Sequence, residues 1–151
     1  MNLQQHPVSP EMRDKILVEL KRIEEFHNVK IIYACESGSR GWGFASTNSD
    51  YDVRFIYVNH PKHYIRVDNN KSENIEHIVD DKLDICGWSI TKTLGLIYKS
   101  NPTFLEWIQS PIVYLETEDM NELKEIARSH FIHISGYEHY SIVTGKQEKR
   151  S

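Results

Sequence analysis

Two aspartates, Asp50 and Asp52, flank Tyr51 at the head of a run rich in β-branched and aromatic residues. Side chains alternate across a strand, so acids at i and i+2 leave one face, while Tyr51, Val53 and Phe55 point to the other. Two carboxylates on one face repel unless something positive lies between them. Divalent cations fill that place, and Mg2+ prefers carboxylate, water and phosphate oxygens. A pair of such ions (Mg2+ or Mn2+) can activate an attacking hydroxyl and hold a triphosphate. Taken alone, an Asp-x-Asp pattern more often describes a solvated strand start.

The segment upstream narrows the choice. Gly38-Ser39 follows the strand-like run of residues 29–35 after only Glu36 and Ser37. A glycine lets the backbone approach a ligand, and exposed N–H groups at such a turn suit phosphate oxygens. The serine hydroxyl adds a donor. A Gly-Ser pair by itself also fits a plain strand-to-turn connection, and no Gly-Lys-Ser/Thr follows, so this is not a P-loop. Together, a phosphate cradle and an acid pair, each beside a strand, are specific. Arg40 is either a phosphate contact, since guanidinium forks match phosphate oxygens, or a salt-bridge partner. Arg54 shares the face of Asp50 and Asp52 by parity, and pairs with either carboxylate or reaches substrate. Lys92 is a weaker phosphate candidate, and Trp42 a candidate for stacking on a base.

Gly38-Ser39 followed by Asp50-Tyr51-Asp52 resembles the signature of the DNA polymerase β nucleotidyltransferase superfamily. The fuller strings Ser39-Arg40-Gly41-Trp42-Gly43-Phe44, Asn48-Ser49-Asp50-Tyr51-Asp52-Val53-Arg54, Leu83-Asp84-Ile85-Cys86-Gly87-Trp88 and Glu106-Trp107-Ile108-Gln109-Ser110-Pro111 resemble its subfamily of predicted nucleotidyltransferases associated with RNA repair. The resemblance covers residues 33–114. It implies a third carboxylate on a neighbouring strand, and Asp84 is the matching position, with Asp80 and Asp81 as competitors in a charged turn. It further implies that Gly38 and Ser39 hold nucleotide phosphates and that Asp50, Asp52 and Asp84 bind two Mg2+ or Mn2+ ions. A nucleoside monophosphate would then pass from a nucleoside triphosphate to an acceptor hydroxyl. The acceptor is an RNA end, a protein (as in antitoxin-type modifiers) or a small molecule. An inactive nucleotide- or partner-binding module of the same fold is the alternative. Members of the subfamily run longer, so a further C-terminal helical region is expected beyond this single domain of residues 1–151.

These residues need a scaffold. Ser9-Pro10-Glu11 is a strong helix start, combining a hydroxyl cap, proline in the first turn and an acid near the positive dipole end. Met12, Ile16, Leu20, Ile23 and Phe26 follow at helical spacing, and Asn28 ends the helix. Strands are predicted over 29–35, 51–58, 74–79 and 82–90, with a loop over 36–48 that includes a short helical turn at 42–44. The stretch 62–72 reads as polar loop. Helices follow over 91–100, with Leu94, Ile97 and Tyr98 on one side, and from Asn101-Pro102 to Ile108. Another begins at a Thr117 cap with Met120, Leu123, Ala127 and Phe131 on one face, and a separate helical stretch spans 136–144. Helix, strands, then helices is an α+β order: a small mixed sheet with helices packed on it.

The 151 residues suffice for one domain with its own core. A net charge of −4 argues against a broad basic surface for nucleic acid, though not against a local phosphate site. Cys35 and Cys86 lie in apolar stretches and read as buried thiols of a reduced compartment. Trp88 and Trp107 read as core. His60 with His63, and His130 with His133, lack a nearby Cys to complete a zinc set. No apolar run approaches the ~20 residues of a membrane helix, and no signal pattern opens the chain, so a cytoplasmic location is expected. Lys146, Lys149 and Arg150 read as a solvated tail.

Overall fold

The computed structural model describes residues 8–38, 50–61 and 73–144, with side chains through residue 131. Helix α1 (Pro10–His27) begins as its cap requires: the Ser9 hydroxyl accepts the Met12 N–H at 3.2 Å. It ends at Asn28, whose φ of 52° is the left-handed conformation that asparagine tolerates. Ile16, Leu20 and Ile23 are buried, but Phe26 is 86% exposed. Phe26 lies at the margin of the apolar stripe on the last turn, where the chain already leaves for the first strand.

Strands β1 (Val29–Glu36), β2 (Tyr51–Asn59), β3 (Asn74–Asp80), β4 (Leu83–Ser89) and β5 (Val113–Glu116) form one sheet in the order β3-β4-β2-β1-β5. Three neighbouring pairs are antiparallel, and β2 runs parallel to β4. A parallel pair needs a return path. Here β3 runs antiparallel to β4, so β4 lies between β3 and β2 and starts at the same end as β2. That end carries the candidate site.

Alternation divides the core in two. Val53, Phe55, Tyr57, Leu83 and Ile85 pack with α1, while Ile32, Cys35 and Ile56 pack with α2 (Ile90–Tyr98), α3 (Pro102–Ile108) and α4 (Asp119–Thr144). On the α1 side, Phe55 lies across its register partner Gly87, where a Cβ would stand 2.2 Å from the ring. Glycine there lets the two central strands pack under one aromatic side chain.

Several expectations are corrected. The segment over 113–116 is a strand that the sequence did not suggest: four residues form β5 by pairing with β1. The Thr117 hydroxyl donates to the Ile32 carbonyl at 3.1 Å and so ties β1 to this turn instead of capping α4. Helix α4 runs unbroken through Gly136, without a second helix start. Helix α2 buries Thr93 and Ile97 and leaves Leu94 and Tyr98 exposed. A threonine can take the core position because its hydroxyl donates to the Ser89 carbonyl, at 2.8 Å, and is thereby satisfied. The loop and helical turn expected within 36–48 lie outside the described residues from 39 on, as do the polar stretch 62–72 and the tail from 145.

Candidate active site

Parallel pairing sets Asp52 on β2 directly opposite Asp84 on β4. Neighbouring strands lie ~4.8 Å apart, so two acids at one register level on one face are immediate neighbours. Their side chains are 37% and 40% exposed, and between them lies Arg54, 21% exposed. Its Nη2 is 3.2 Å from Asp84 Oδ2 and 3.9 Å from Asp52 Oδ1, while Nη1 donates to the Val53 carbonyl at 3.0 Å. Parity had placed Arg54 on the acids' face. The fold makes it the counter-charge of both.

Asp84 is oriented from its other side too. The Cys86 thiol, next on the same strand face, donates to Asp84 Oδ1 at 3.3 Å. Burial, followed by that hydrogen bond, pushes the Cys86 thiol up to about 11. Cys86 is half-buried, not fully buried as its apolar neighbours suggested, whereas Cys35 is buried and its thiol is pushed up to about 12 by burial. Both are free thiols.

The competitor acids are spoken for or peripheral. Asp80 Oδ1 accepts the N–H groups of Lys82 and Leu83 at 2.8 and 3.0 Å, and Oδ2 pairs with Lys15 at 2.9 Å. The Lys15 hydrogen bond, then that from Lys82, holds the Asp80 carboxyl below the usual range. Asp80 thus shapes the turn into β4, and Asp81 is exposed within that turn.

Gly38 closes the site from the end of β1. The Ser37 N–H donates to the Asp52 carbonyl at 2.9 Å, which draws the following glycine against the Asp52 side chain. A Cβ at Gly38 would stand 2.2 Å from Asp52 Oδ2 and 3.1 Å from its Cβ and Cγ. Only glycine admits this approach. Its partners in the expected phosphate cradle, Ser39 and Arg40, lie outside the described residues, as does Trp42.

Sequence reasoning passed over Glu36, the last residue of β1. Its carboxylate is fully buried, and it accepts the Asp52 backbone N–H at 2.7 Å (Oε1) and 3.2 Å (Oε2). The signal was a charged residue closing a strand that is otherwise apolar from Ile31 to Cys35, directly before Ser37-Gly38.

Of the three expected metal ligands, Asp52 and Asp84 are brought together. Asp50 is exposed, one residue before β2 and on the same face by alternation. Among the described residues, no group of three or more His, Cys, Asp or Glu side chains gathers closely enough to hold a metal ion. The two juxtaposed carboxylates nevertheless fit a hard divalent cation in donor type, and the missing Cβ at Gly38 keeps Asp52 Oδ2 uncovered by side chain there.

The remaining candidates lie aside. Lys92 hydrogen-bonds Asn74 and sits 5.5 Å over the Trp88 ring. Trp107 is buried, and half-buried Trp88 stacks on it at 3.8 Å between centroids. His60 is exposed at the end of β2, and His130 contacts the Ser100 hydroxyl at 3.1 Å. His63 and the His133 side chain lie outside the described residues. Among those residues no helix is long and apolar enough to cross a membrane.

Comparison with known proteins identifies the family of this chain. The uncharacterized protein YcgL of Bacillus subtilis (strain 168) is 54% identical over 105 residues, 70% of this chain. The chain covers 40% of that relative's length. No solved structure matches the chain. The model of RlaP, the RNA repair pathway DNA polymerase beta family, matches residues 12–150, which include β1, β2, β4 and both juxtaposed acids. With nearly its whole length matched, and with the mixed sheet in place, the chain belongs to the RNA repair pathway DNA polymerase beta family.

Proposed function

We propose that this chain is the catalytic core of a nucleotidyltransferase that moves a nucleoside monophosphate from a nucleoside triphosphate to an acceptor hydroxyl, with an RNA end as acceptor. The observation that carries the proposal is the pairing of Asp52 with Asp84 across parallel strands, with Gly38 held against the Asp52 carboxylate.

In this reading Asp50, Asp52 and Asp84 hold two divalent ions, Mg2+ or Mn2+, which when bound neutralise phosphate charge and acidify the acceptor hydroxyl. Gly38 and Ser39 orient the β- and γ-phosphates through the strand-to-loop turn, with Arg40 beside them. Asp84 orients the acceptor hydroxyl and takes its proton; the Cys86 thiol holds Oδ1 and Arg54 holds Oδ2, so Arg54 must yield Oδ2 for this step. The acceptor oxygen then bonds to the α-phosphorus as the bond to the departing pyrophosphate breaks. Such chemistry rests on positioning and charge stabilisation, which suits a site built from rigid strands. A cytoplasmic setting belongs to the same proposal.

Arg54 favours a second reading. Because it already neutralises both acids, a module that binds nucleotide or a partner without turnover is also self-consistent. One experiment decides. The protein is incubated with Mg2+ or Mn2+, each labelled nucleoside triphosphate, and total RNA or no acceptor. Pyrophosphate release that disappears in Asp52→Asn and Asp84→Asn supports the transferase. Metal-dependent nucleotide binding without release selects the module.

A further inference from the structure

We infer that Glu36 is a positioning residue that fixes the metal-binding acid Asp52 through that residue's own backbone; this rests on the transferase reading above. In a regular antiparallel ladder, the N–H and C=O of one residue both meet backbone partners on the facing strand. The Asp52 carbonyl does so, accepting the Ser37 N–H at 2.9 Å. Its N–H instead donates to the Glu36 carboxylate, at 2.7 and 3.2 Å. A side chain thus replaces a carbonyl at the one rung that carries the candidate metal ligand.

The rest of the β1 end holds both the backbone and the side chain of Glu36. The Ser110 hydroxyl donates to the Glu36 carbonyl at 2.5 Å, and the Glu36 N–H donates to the Ile112 carbonyl at 3.0 Å. The Tyr114 hydroxyl lies 3.5 Å from Oε2. Glu36 is fully buried, a costly place for a carboxylate whose only purpose would be to end a strand. An apolar residue there would leave the Asp52 N–H without its side-chain acceptor. Parallel pairing with β4 sets Asp52 at the level of Asp84, and Glu36 adds a hold on the Asp52 N–H from the β1 side. Gly38 presses on the same side chain from the loop. Asp52 is therefore held at three points: its N–H, its carbonyl and its carboxylate.

Hydrogen-bonding partners behind a metal ligand typically change metal affinity or activity by ~10–100-fold when removed. The test compares the wild-type chain with Glu36→Gln, Glu36→Asp and, as a control for a small loss of core packing away from the acids, Ile23→Val. Mn2+ affinity is read by electron paramagnetic resonance without substrate, and the Asp52 amide by hydrogen exchange. Glu36→Asp, one methylene too short, is expected to weaken Mn2+ binding by ~10-fold or more and to lose Asp52 amide protection. Glu36→Gln keeps one acceptor and is expected to fall between it and wild type, while Ile23→Val binds Mn2+ as wild type does. Wild-type affinity and protection in both Glu36 variants overturns the positioning role and leaves the transferase reading standing. A wild-type protein that binds no Mn2+ and releases no pyrophosphate overturns the transferase reading itself, and with it any role for Glu36 toward a metal.

Discussion

Replacing Gly38 by alanine tests the geometry of the site most directly. The added Cβ would stand 2.2 Å from Asp52 Oδ2, a separation that carbon and oxygen do not sustain, so the oxygen must retreat by roughly 1 Å to reach ordinary contact. The obstructing atom is the end of a short side chain, so the protein yields by turning the carboxylate instead of by unfolding. The tight 3.1 Å approaches to Asp52 Cβ and Cγ add a small backbone shift. A misplacement of ~1 Å at a reacting site costs on the order of 100-fold in rate. Gly38→Ala is therefore expected to fold, with a melting temperature within ~4 °C of wild type, or about 1–2 kcal/mol. Its pyrophosphate release at saturating nucleotide is expected to fall ~100-fold. The assay is single-turnover release of labelled pyrophosphate beside a thermal melt. A variant that keeps the wild-type rate within about threefold would show that Asp52 does not act from the position described here, against the magnitude expected for such a shift.

Three further outcomes follow from particular contacts. Arg54→Gln removes the counter-charge between Asp52 and Asp84; in chelator its melting temperature should drop by ~2–4 °C, about 1 kcal/mol, and millimolar Mg2+ should restore more stability to it than to wild type. An equal response to Mg2+ in the two proteins would mean that the acids do not share a cation site. The Cys86 thiol is pushed up to about 11, so alkylation at pH 8 should be ~100-fold slower than for a free thiol and should keep rising with pH toward 11. A rate that levels off near pH 9 contradicts the burial, and with it the Asp84 contact, that push this thiol up. Asn28→Gly should leave stability within ~0.5 kcal/mol, whereas Asn28→Val should cost ~1–2 kcal/mol, because a β-branched residue resists φ 52°. Chemical denaturation of both variants checks this, and equal stabilities would count against a left-handed end for α1.

The sequence by itself determined the elements whose signals are local. The cap and proline at Ser9-Pro10 start α1, Asn28 ends it, and alternation puts Asp52 and Arg54 on one face of β2 and Asp84, Cys86 and Trp88 on one face of β4. The motif pairing Gly38-Ser39 with Asp50-Tyr51-Asp52 also pointed to the family, because a loop and two acids at fixed spacing are a local pattern. What a chain cannot show locally is which strand lies beside which, and at what register. Only the parallel pairing of β2 with β4 set Asp84 opposite Asp52, and only the fold tied Asp80, already placed in a charged turn, to Lys15. β5 escaped notice because four residues become a strand only when β1 offers an edge. Thr93 took the core place expected of Leu94 because a hydrogen bond to Ser89 satisfied its hydroxyl. Glu36, an acid in an apolar run, gained meaning only once the Asp52 N–H was found pointing at it. Apart from the local Thr93–Ser89 bond, these contacts join residues distant in sequence and carry no periodicity, so those positions could be decided only by the tertiary structure.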